Sequence, residues 1–151
     1  MINENEIRKA IAILKPDNQL FEVRVIYSNK QVYSGYFQSG DDLLKALDRD
    51  IREYANCNIY ITLNKLNVAC YDRKQKNCFI KNATATTSDN DVTGYDYLFI
   101  DIDPHRPTGT SSNDTQVAEA KEIGNKVYSF MKKIGFNDPV FGFSGNGVHL
   151  L

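Results

Sequence analysis

The sequence predicts an α+β protein with two lobes, a small N-terminal α/β lobe at residues 1–92 and a second lobe at residues 93–151. Apolar residues recur with the period of a helix in some segments and with the period of a strand in others. A polar stretch of small residues, 82–91, separates the two groups of elements and suits a boundary between lobes. The second group is strand, long helix, strand, strand, which is typical of a split βαβ unit.

The first lobe contains short elements with recognisable ends. Apolar residues at the odd positions of 21–27 alternate with Glu22, Arg24 and Ile26, which predicts a strand with one buried face. Asp41 is a favourable N-cap for a helix whose apolar face extends to Tyr54. The predicted elements are a helix at 3–14, strands at 21–27 and 31–37 joined by a turn at 28–30, a helix from Asp41 to about Tyr54, and a strand at 58–64.

The second lobe is organised around one long helix. Residues 111–114 open it, and Gly135 suits the position after its last turn, so we predict that it extends to Ile134. Its apolar stripe indicates the face that packs on the core. That stripe consists of Val117, Ala120, Ile123 or Gly124, Val127, Met131 and Ile134.

Three strands accompany this helix. We predict them at about 97–103, at 139–143 and from Val148 onward, with a turn at 144–147 between the last two. The strand before the helix and the strand after it pair either directly or with one strand between them.

Length and composition exclude several classes of protein. A chain of 151 residues with 42% hydrophobic and 25% charged residues is typical of a globular protein. It has no run of 18 apolar residues, and its acidic N-terminus does not resemble a signal peptide, so we expect a cytoplasmic protein without a membrane partner. Three cysteines without CxxC spacing predict neither a disulfide framework nor a zinc site.

Charge is unevenly distributed along the chain, although the net charge is only −1. Residues 65–81 contain five lysines or arginines and one acidic residue, whereas residues 89–103 are acidic. A basic segment near an acidic cluster suits a phosphate-bearing substrate whose charge is shared between a cation and side chains. A solvated loop is the commoner explanation of such a basic run.

Asp101 and Asp103 follow an apolar run, Leu98-Phe99-Ile100. Because a strand points residues i and i+2 to the same face, the two carboxylates share a face and lie about 6–7 Å apart. Such carboxylates repel each other unless a cation lies between them, and Mg²⁺ or Mn²⁺ is the natural partner for oxygen ligands. Asp-x-Asp is also common at solvated strand ends and in turns, so a surface role stays open.

A second motif is Ser144-Gly145-Asn146-Gly147-Val148-His149. Glycines let backbone amides approach an anion, and a turn of such amides forms a phosphate nest. The imidazole at the end of the motif can contact a phosphate oxygen. A tight hairpin with Asn-Gly turn chemistry explains the same residues. Taken together, the two motifs predict a site for a metal ion and a nucleotide.

With these motifs the chain resembles the archaeo-eukaryotic primase superfamily, in particular the primase–polymerase domains of phages, plasmids and other mobile elements. The resemblance rests on Phe-Ile-Asp-Ile-Asp-Pro-His-Arg-Pro at 99–107 and on Ser-Gly-Asn-Gly-Val-His-Leu-Leu at 144–151. Similarities at 21–24, 35–37 and 59–64 extend it over nearly the whole chain. It implies that the second lobe is an incomplete RNA-recognition-motif-like lobe.

The resemblance also implies an activity, namely that of a DNA primase or polymerase, a nucleotidyltransferase that copies a template with divalent-metal catalysis. Asp101 and Asp103 would be catalytic and hold Mg²⁺ or Mn²⁺, and His149 would contact the phosphates of the incoming nucleotide, which residues 144–147 bind. The family's third motif, which supplies another acidic residue, comes later in the chain and is missing here. We therefore expect an N-terminal fragment of a longer protein, inactive by itself.

Further contacts with substrate are expected around this site. Arg106 either pairs with triphosphate oxygens or makes a surface ion pair. Single-stranded template DNA is expected along Arg73, Lys74 and Lys76, with Tyr71 available for stacking. The expected partners are nucleoside triphosphates, single-stranded DNA and a helicase domain in the same full-length protein.

Two other kinds of function remain open from the sequence. One is a non-catalytic nucleic-acid-binding domain of a replication initiator. The other is a different Asp-x-Asp metal enzyme, such as a nuclease or a glycosyltransferase.

Overall fold

The computed structural model of the chain describes residues 2–151. These residues form an α+β fold with three α-helices and three small antiparallel sheets. They divide into two compact units, the first ending at Asp96 and the second formed by Tyr97–Leu151. The elements are α1 (Glu4–Leu14), β1 (Phe21–Tyr27), β2 (Val32–Phe37), α2 (Gly40–Asp50), β3 (Cys57–Ile61), β4 (Lys65–Leu66), β5 (Ile80–Lys81), β6 (Val92–Gly94), β7 (Ile100–Ile102), α3 (Asp114–Lys133), β8 (Phe141–Phe143) and β9 (Val148–Leu150).

The first unit is built on a four-stranded sheet with the order β3-β1-β2-β5. The predicted hairpin of β1 and β2 is confirmed, and its register pairs Phe21 with Phe37. Helices α1 and α2 cover the face that carries Phe21, Val23 and Val25, all of which are buried. Their burial is the main source of stability in this unit, since each such side chain contributes roughly 1.5–3 kcal/mol.

Helix α2 differs from its prediction at both ends. Its N-cap is Ser39, whose hydroxyl accepts a hydrogen bond from the amide of Asp42, and not Asp41. Asp41 instead forms an ion pair with Arg8 of α1. The helix ends at Asp50, so its predicted extension to Tyr54 is wrong, although the hydroxyl of Tyr54 still donates to the Leu47 carbonyl.

Part of the second face of this sheet is also buried, contrary to the single buried face predicted for β1. Glu22 is 0% exposed and stands beside Tyr36 in the register. The segment 65–92, whose regular structure is limited to β4 to β6 and two short 3₁₀ helices, covers part of this face and contributes Leu66 and Cys70 to a small apolar cluster with Tyr36. A sequence pattern shows whether a side chain is polar but not whether a distant segment covers it.

The second unit is a three-stranded sheet with one long helix. Its order is β7-β9-β8, and both outer strands are antiparallel to β9. Strands β7 and β8, which α3 connects, therefore run parallel with β9 between them, which is the split βαβ order. Of the two pairings that the sequence left open, the structure shows the one with a strand inserted.

Helix α3 begins and ends where the sequence predicts. Asn113 is the N-cap and forms a capping box with Gln116, and Gly135 follows the helix with φ of +97°. Within the predicted stripe Gly124 faces the sheet, because a Cβ built there would lie 2.8 Å from Cγ2 of Val148. Ile123, the alternative, is 49% exposed. No helix within residues 2–151 is long and apolar enough to cross a membrane.

Candidate functional site

The candidate site lies on the open face of the β7-β9-β8 sheet. Ile102 pairs with Val148 in the sheet, and the side chain of Val148 points toward α3, where it lies against Gly124. The neighbouring pair, Asp101 opposite His149, therefore points to the other face. Both side chains remain accessible, with 50% of the aspartate and 31% of the histidine side chain exposed.

Asp101 and His149 are in direct contact across the two strands. Nε2 of the imidazole lies 3.1 Å from Oδ1 of the carboxylate, which is a hydrogen-bond distance for an Nε2–H donor. The ring of Phe99, two residues before Asp101, meets the imidazole edge-on with centroids 5.0 Å apart. The histidine is thus oriented by a carboxylate and by an aromatic ring.

Asp103 lies just beyond the end of β7 and has two close neighbours, Arg106 and Gly147. Arg106 brings Nη1 to 3.4 Å from Oδ2, while its Nε donates to the carbonyl of Thr110 at 3.0 Å. On the other side, a Cβ built on Gly147 would lie 2.6 Å from Oδ1 and would also collide with the carbonyl of Ile102. Only glycine fits at 147, and its close approach brings the second motif against the first.

The turn at 144–147 is held together by its own serine. The hydroxyl oxygen of Ser144 accepts hydrogen bonds from the amides of Gly147 at 2.9 Å and Asn146 at 3.3 Å. Gly145 has φ of +93°, which suits glycine. In this conformation two amides of the predicted phosphate nest bond to Ser144, so an anion would have to replace that hydroxyl or bind elsewhere on the turn.

Three positioning residues were missed by the sequence analysis. Ser112 donates its amide to Oδ1 of Asn146 and its hydroxyl to the carbonyl of Asn146, which ties the turn to the start of α3. Thr110 holds Arg106 through its carbonyl, and Phe99 contacts His149. The period of two places Phe99 on the face of Asp101, so it could have been found; Ser112 and Thr110 carry no sequence signal.

The donor set suits a divalent cation held together with a phosphate ligand. Mg²⁺ is usually bound through one or two carboxylates while substrate phosphates and water complete its octahedron. Asp101 and Asp103, two residues apart in the chain, provide two such carboxylates, with 50% and 47% of their side chains exposed. Among residues 2–151 no three His, Cys, Asp or Glu side chains form a group that could hold a metal ion by themselves.

The residues expected to bind template DNA lie in the first unit, and each has an internal partner. Arg73 makes two hydrogen bonds to Asp91, and Lys76 pairs with Asp72, four residues earlier in the chain. Lys74 donates to Ser34 at 2.7 Å, and burial lowers the pKa of its ammonium group. The hydroxyl of Tyr71 donates to Oδ1 of Asn77, and the ammonium group of Lys76 lies over the Tyr71 ring. DNA binding by this group stays a prediction.

No protein-family model matches the chain, and neither the curated proteins nor the solved structures contain a significant match to it.

Proposed function

We propose that the chain contributes the metal- and nucleotide-binding part of a primase–polymerase, an enzyme that joins nucleotides on a single-stranded DNA template. One observation carries the proposal: Asp101 and His149, which belong to two motifs more than 40 residues apart, are in contact on one accessible sheet face, and Asp103 lies against Gly147 of the second motif. A split βαβ unit with a long helix on its other face agrees with an RNA-recognition-motif-like catalytic lobe.

In the reaction a 3′-hydroxyl oxygen bonds to the α-phosphorus of a nucleoside triphosphate, the bond from that phosphorus to the bridging oxygen breaks so that pyrophosphate leaves, and the hydroxyl proton passes to water. Bound divalent cations lower the pKa of the attacking hydroxyl and stabilise the charge on the oxygens. Asp101 and Asp103 supply carboxylate oxygens on the face where the triphosphate would lie. His149 and Arg106 supply N–H donors for phosphate oxygens, because both stand beside those carboxylates.

A non-catalytic nucleic-acid-binding domain is the second candidate, and a specific observation favours it. Each of the two carboxylates is already in contact with a protein donor, Asp101 with His149 and Asp103 with Arg106. Within residues 2–151 no third acidic side chain joins them in a metal-binding group. Such a domain would bind single-stranded DNA without using the carboxylates.

An incorporation assay tests the proposal. The full-length protein is given a single-stranded template, NTPs or dNTPs, and Mg²⁺ or Mn²⁺, and primer synthesis is followed on a gel. We expect the double variant Asp101→Asn, Asp103→Asn to reduce incorporation at least 100-fold, a change of about 3 kcal/mol. Asp114→Asn, which removes an exposed carboxylate from the first turn of α3 in the same unit, is the control and should leave the rate unchanged.

The outcomes separate the candidate functions. Full incorporation by the double variant would refute the assignment of the two carboxylates. DNA binding that persists in the double variant, with no incorporation by the wild type, would support the non-catalytic domain. Strand cleavage without incorporation would indicate a nuclease.

A further inference from the structure

Both carboxylates of the candidate site have a basic side chain of the protein as a neighbour. Asp101 has the imidazole of His149 at 3.1 Å, and Asp103 has the guanidinium of Arg106 at 3.4 Å. These are the same two donors that the proposed function assigns to the phosphates of the nucleotide. One donor cannot serve a carboxylate and a phosphate with the same N–H group at the same time.

The Arg106 contact has the geometry of an exchangeable interaction. A distance of 3.4 Å exceeds the usual 2.9–3.0 Å of an N–H···O hydrogen bond, and about half of the Asp103 side chain is exposed. Pairs this accessible to water contribute little to stability. The guanidinium is meanwhile anchored at Nε by the carbonyl of Thr110, so it can release Asp103 without leaving the site.

His149 is arranged in a similar way. Phe99 supports one edge of its ring independently of Asp101, so the ring keeps a neighbour when its hydrogen bond changes. Its side chain is 31% exposed, which leaves room for a second acceptor. Each donor therefore has two contacts. Arg106 is anchored by Thr110 and paired with Asp103, and His149 is supported by Phe99 and paired with Asp101.

We infer that Arg106 and His149 are exchangeable partners of Asp103 and Asp101, and that they couple metal binding to nucleotide binding. Without nucleotide, the two donors occupy carboxylate oxygens, and the positive charge of Arg106 opposes a divalent cation. When a nucleoside triphosphate arrives with its cation, the donors move to phosphate oxygens and the carboxylates become free for the cation. Each ligand therefore raises the affinity for the other.

This inference rests on the proposed function, because it requires that the same face bind both ligands. Its consequence is distinctive: a substitution that removes Arg106 tightens the binding of the metal alone. A residue with a merely structural role would, when removed, only weaken binding. The sign of the change therefore distinguishes an exchangeable partner from a structural residue.

The experiment measures free Mn²⁺ by electron paramagnetic resonance during titration of the full-length protein. The variants are Arg106→Gln, Arg106→Lys and Lys126→Gln. Lys126, which pairs with Glu122 on α3, is the control for loss of one positive charge in the same unit. Each titration is done with and without the unreactive analogue α,β-methylene-ATP and its deoxy counterpart.

For Arg106→Gln we expect Mn²⁺ alone to bind about threefold to tenfold more tightly, since one unit charge beside a divalent cation is removed in a largely aqueous environment. The tightening of Mn²⁺ binding that the analogue produces should shrink by a similar factor. Arg106→Lys should stay close to the wild type, because it keeps the charge, and Lys126→Gln should change neither quantity. Unchanged or weaker binding of Mn²⁺ alone by Arg106→Gln would overturn the inference.

The proposed exchange of His149 between Asp101 and a phosphate is tested by nitrogen NMR. The chain has two histidines, so a spectrum of His149→Gln assigns the His149 ring signals. We expect the Nε2 signal of His149 to shift when Mg²⁺ and the analogue are added together and to stay in place with Mg²⁺ alone. A signal that does not respond to the two ligands together would overturn the exchange at this residue.

Failure of the inference and failure of the proposed function give different results. If the wild type binds Mn²⁺ and the analogue, and Asp101→Asn with Asp103→Asn abolishes both, then a negative result for Arg106→Gln refutes the exchange alone. If the double variant binds both ligands as the wild type does, the proposed site itself is wrong.

Discussion

Thr87 donates its backbone amide to the carboxylate of Glu22, which lies 65 residues earlier in the chain, with N···Oε2 of 3.0 Å. The same oxygen accepts two hydrogen bonds from Arg24, and the other oxygen accepts from Ser34. Arg24 in turn donates to the Thr87 carbonyl. This network holds the polar loop before β6 against the sheet of the first unit.

Glu22→Gln should destabilise the first unit by about 3 kcal/mol, because it leaves Arg24 without its charged partner and turns an amide NH₂ toward other donors. Urea denaturation of the purified protein, followed by circular dichroism, measures the loss. Glu53→Gln removes an exposed carboxylate from the same unit and should change the free energy of unfolding by less than about 0.5 kcal/mol. Equal effects of the two substitutions would show that the Glu22 network contributes nothing specific.

The contribution of Lys15 to stability should depend on pH. Its side chain is buried at 3% exposure and donates to the carbonyls of Leu63 and Asn64, and burial, partly opposed by Asp96, lowers its pKa from 10.5 to about 8. Between these two values the unfolded chain binds more protons than the folded one. The contribution of Lys15 to stability therefore rises with pH in this window, by about 2 kcal/mol from pH 8 to pH 10.

Comparison with Lys15→Met isolates this contribution, since methionine has a similar shape and no charge. The difference in unfolding free energy, wild type minus variant, should increase by that amount between pH 8 and pH 10. The same difference for Lys9→Met, at an exposed position of α1, should stay constant. A constant difference for Lys15→Met would contradict the lowered pKa.

Gly147→Ala should destabilise the second unit by roughly 1–3 kcal/mol, because the added methyl group collides with the end of β7 at Ile102 and Asp103. Gly142→Ala is a matched control on the same sheet, where the new Cβ would make an ordinary contact of 3.5 Å with His149. Thermal unfolding of both variants measures the cost. If Gly147→Ala is as stable as Gly142→Ala, the turn does not approach β7 as closely as the structure shows.

His149→Ala should mainly raise the apparent KM for the nucleotide, by about tenfold, which corresponds to the loss of one charge-assisted hydrogen bond to a phosphate. Steady-state incorporation kinetics at saturating template measure KM and kcat separately. Phe143→Ala serves as the control, because Phe143 is an exposed residue of β8 on the face of the sheet opposite to His149. An unchanged nucleotide dependence would remove His149 from the phosphate site.

Much of the fold was predictable because its signals are local. Helix α3 was predicted to begin within residues 111–114 and to extend to Ile134, since its cap and its final glycine act within one turn of the chain. The hairpin of β1 and β2 follows in the same way from alternation and a short turn. Helix α2 shows the limit: Ser39 and Asp41 are both good N-cap residues, and a distant partner, Arg8, pairs with Asp41 while Ser39 caps the helix.

The candidate site, like the fold, was predictable only where its signals are local in the sequence. The sequence by itself determined that a glycine-rich turn precedes His149, and it predicts that Asp101 and Asp103 share a face, because turn chemistry and strand periodicity depend on neighbouring residues. Only the tertiary structure decided that β9 lies between β7 and β8 and so sets His149 opposite Asp101. Strand order is chosen by packing and hydrogen bonding between segments far apart in the chain, and no local pattern contains that information.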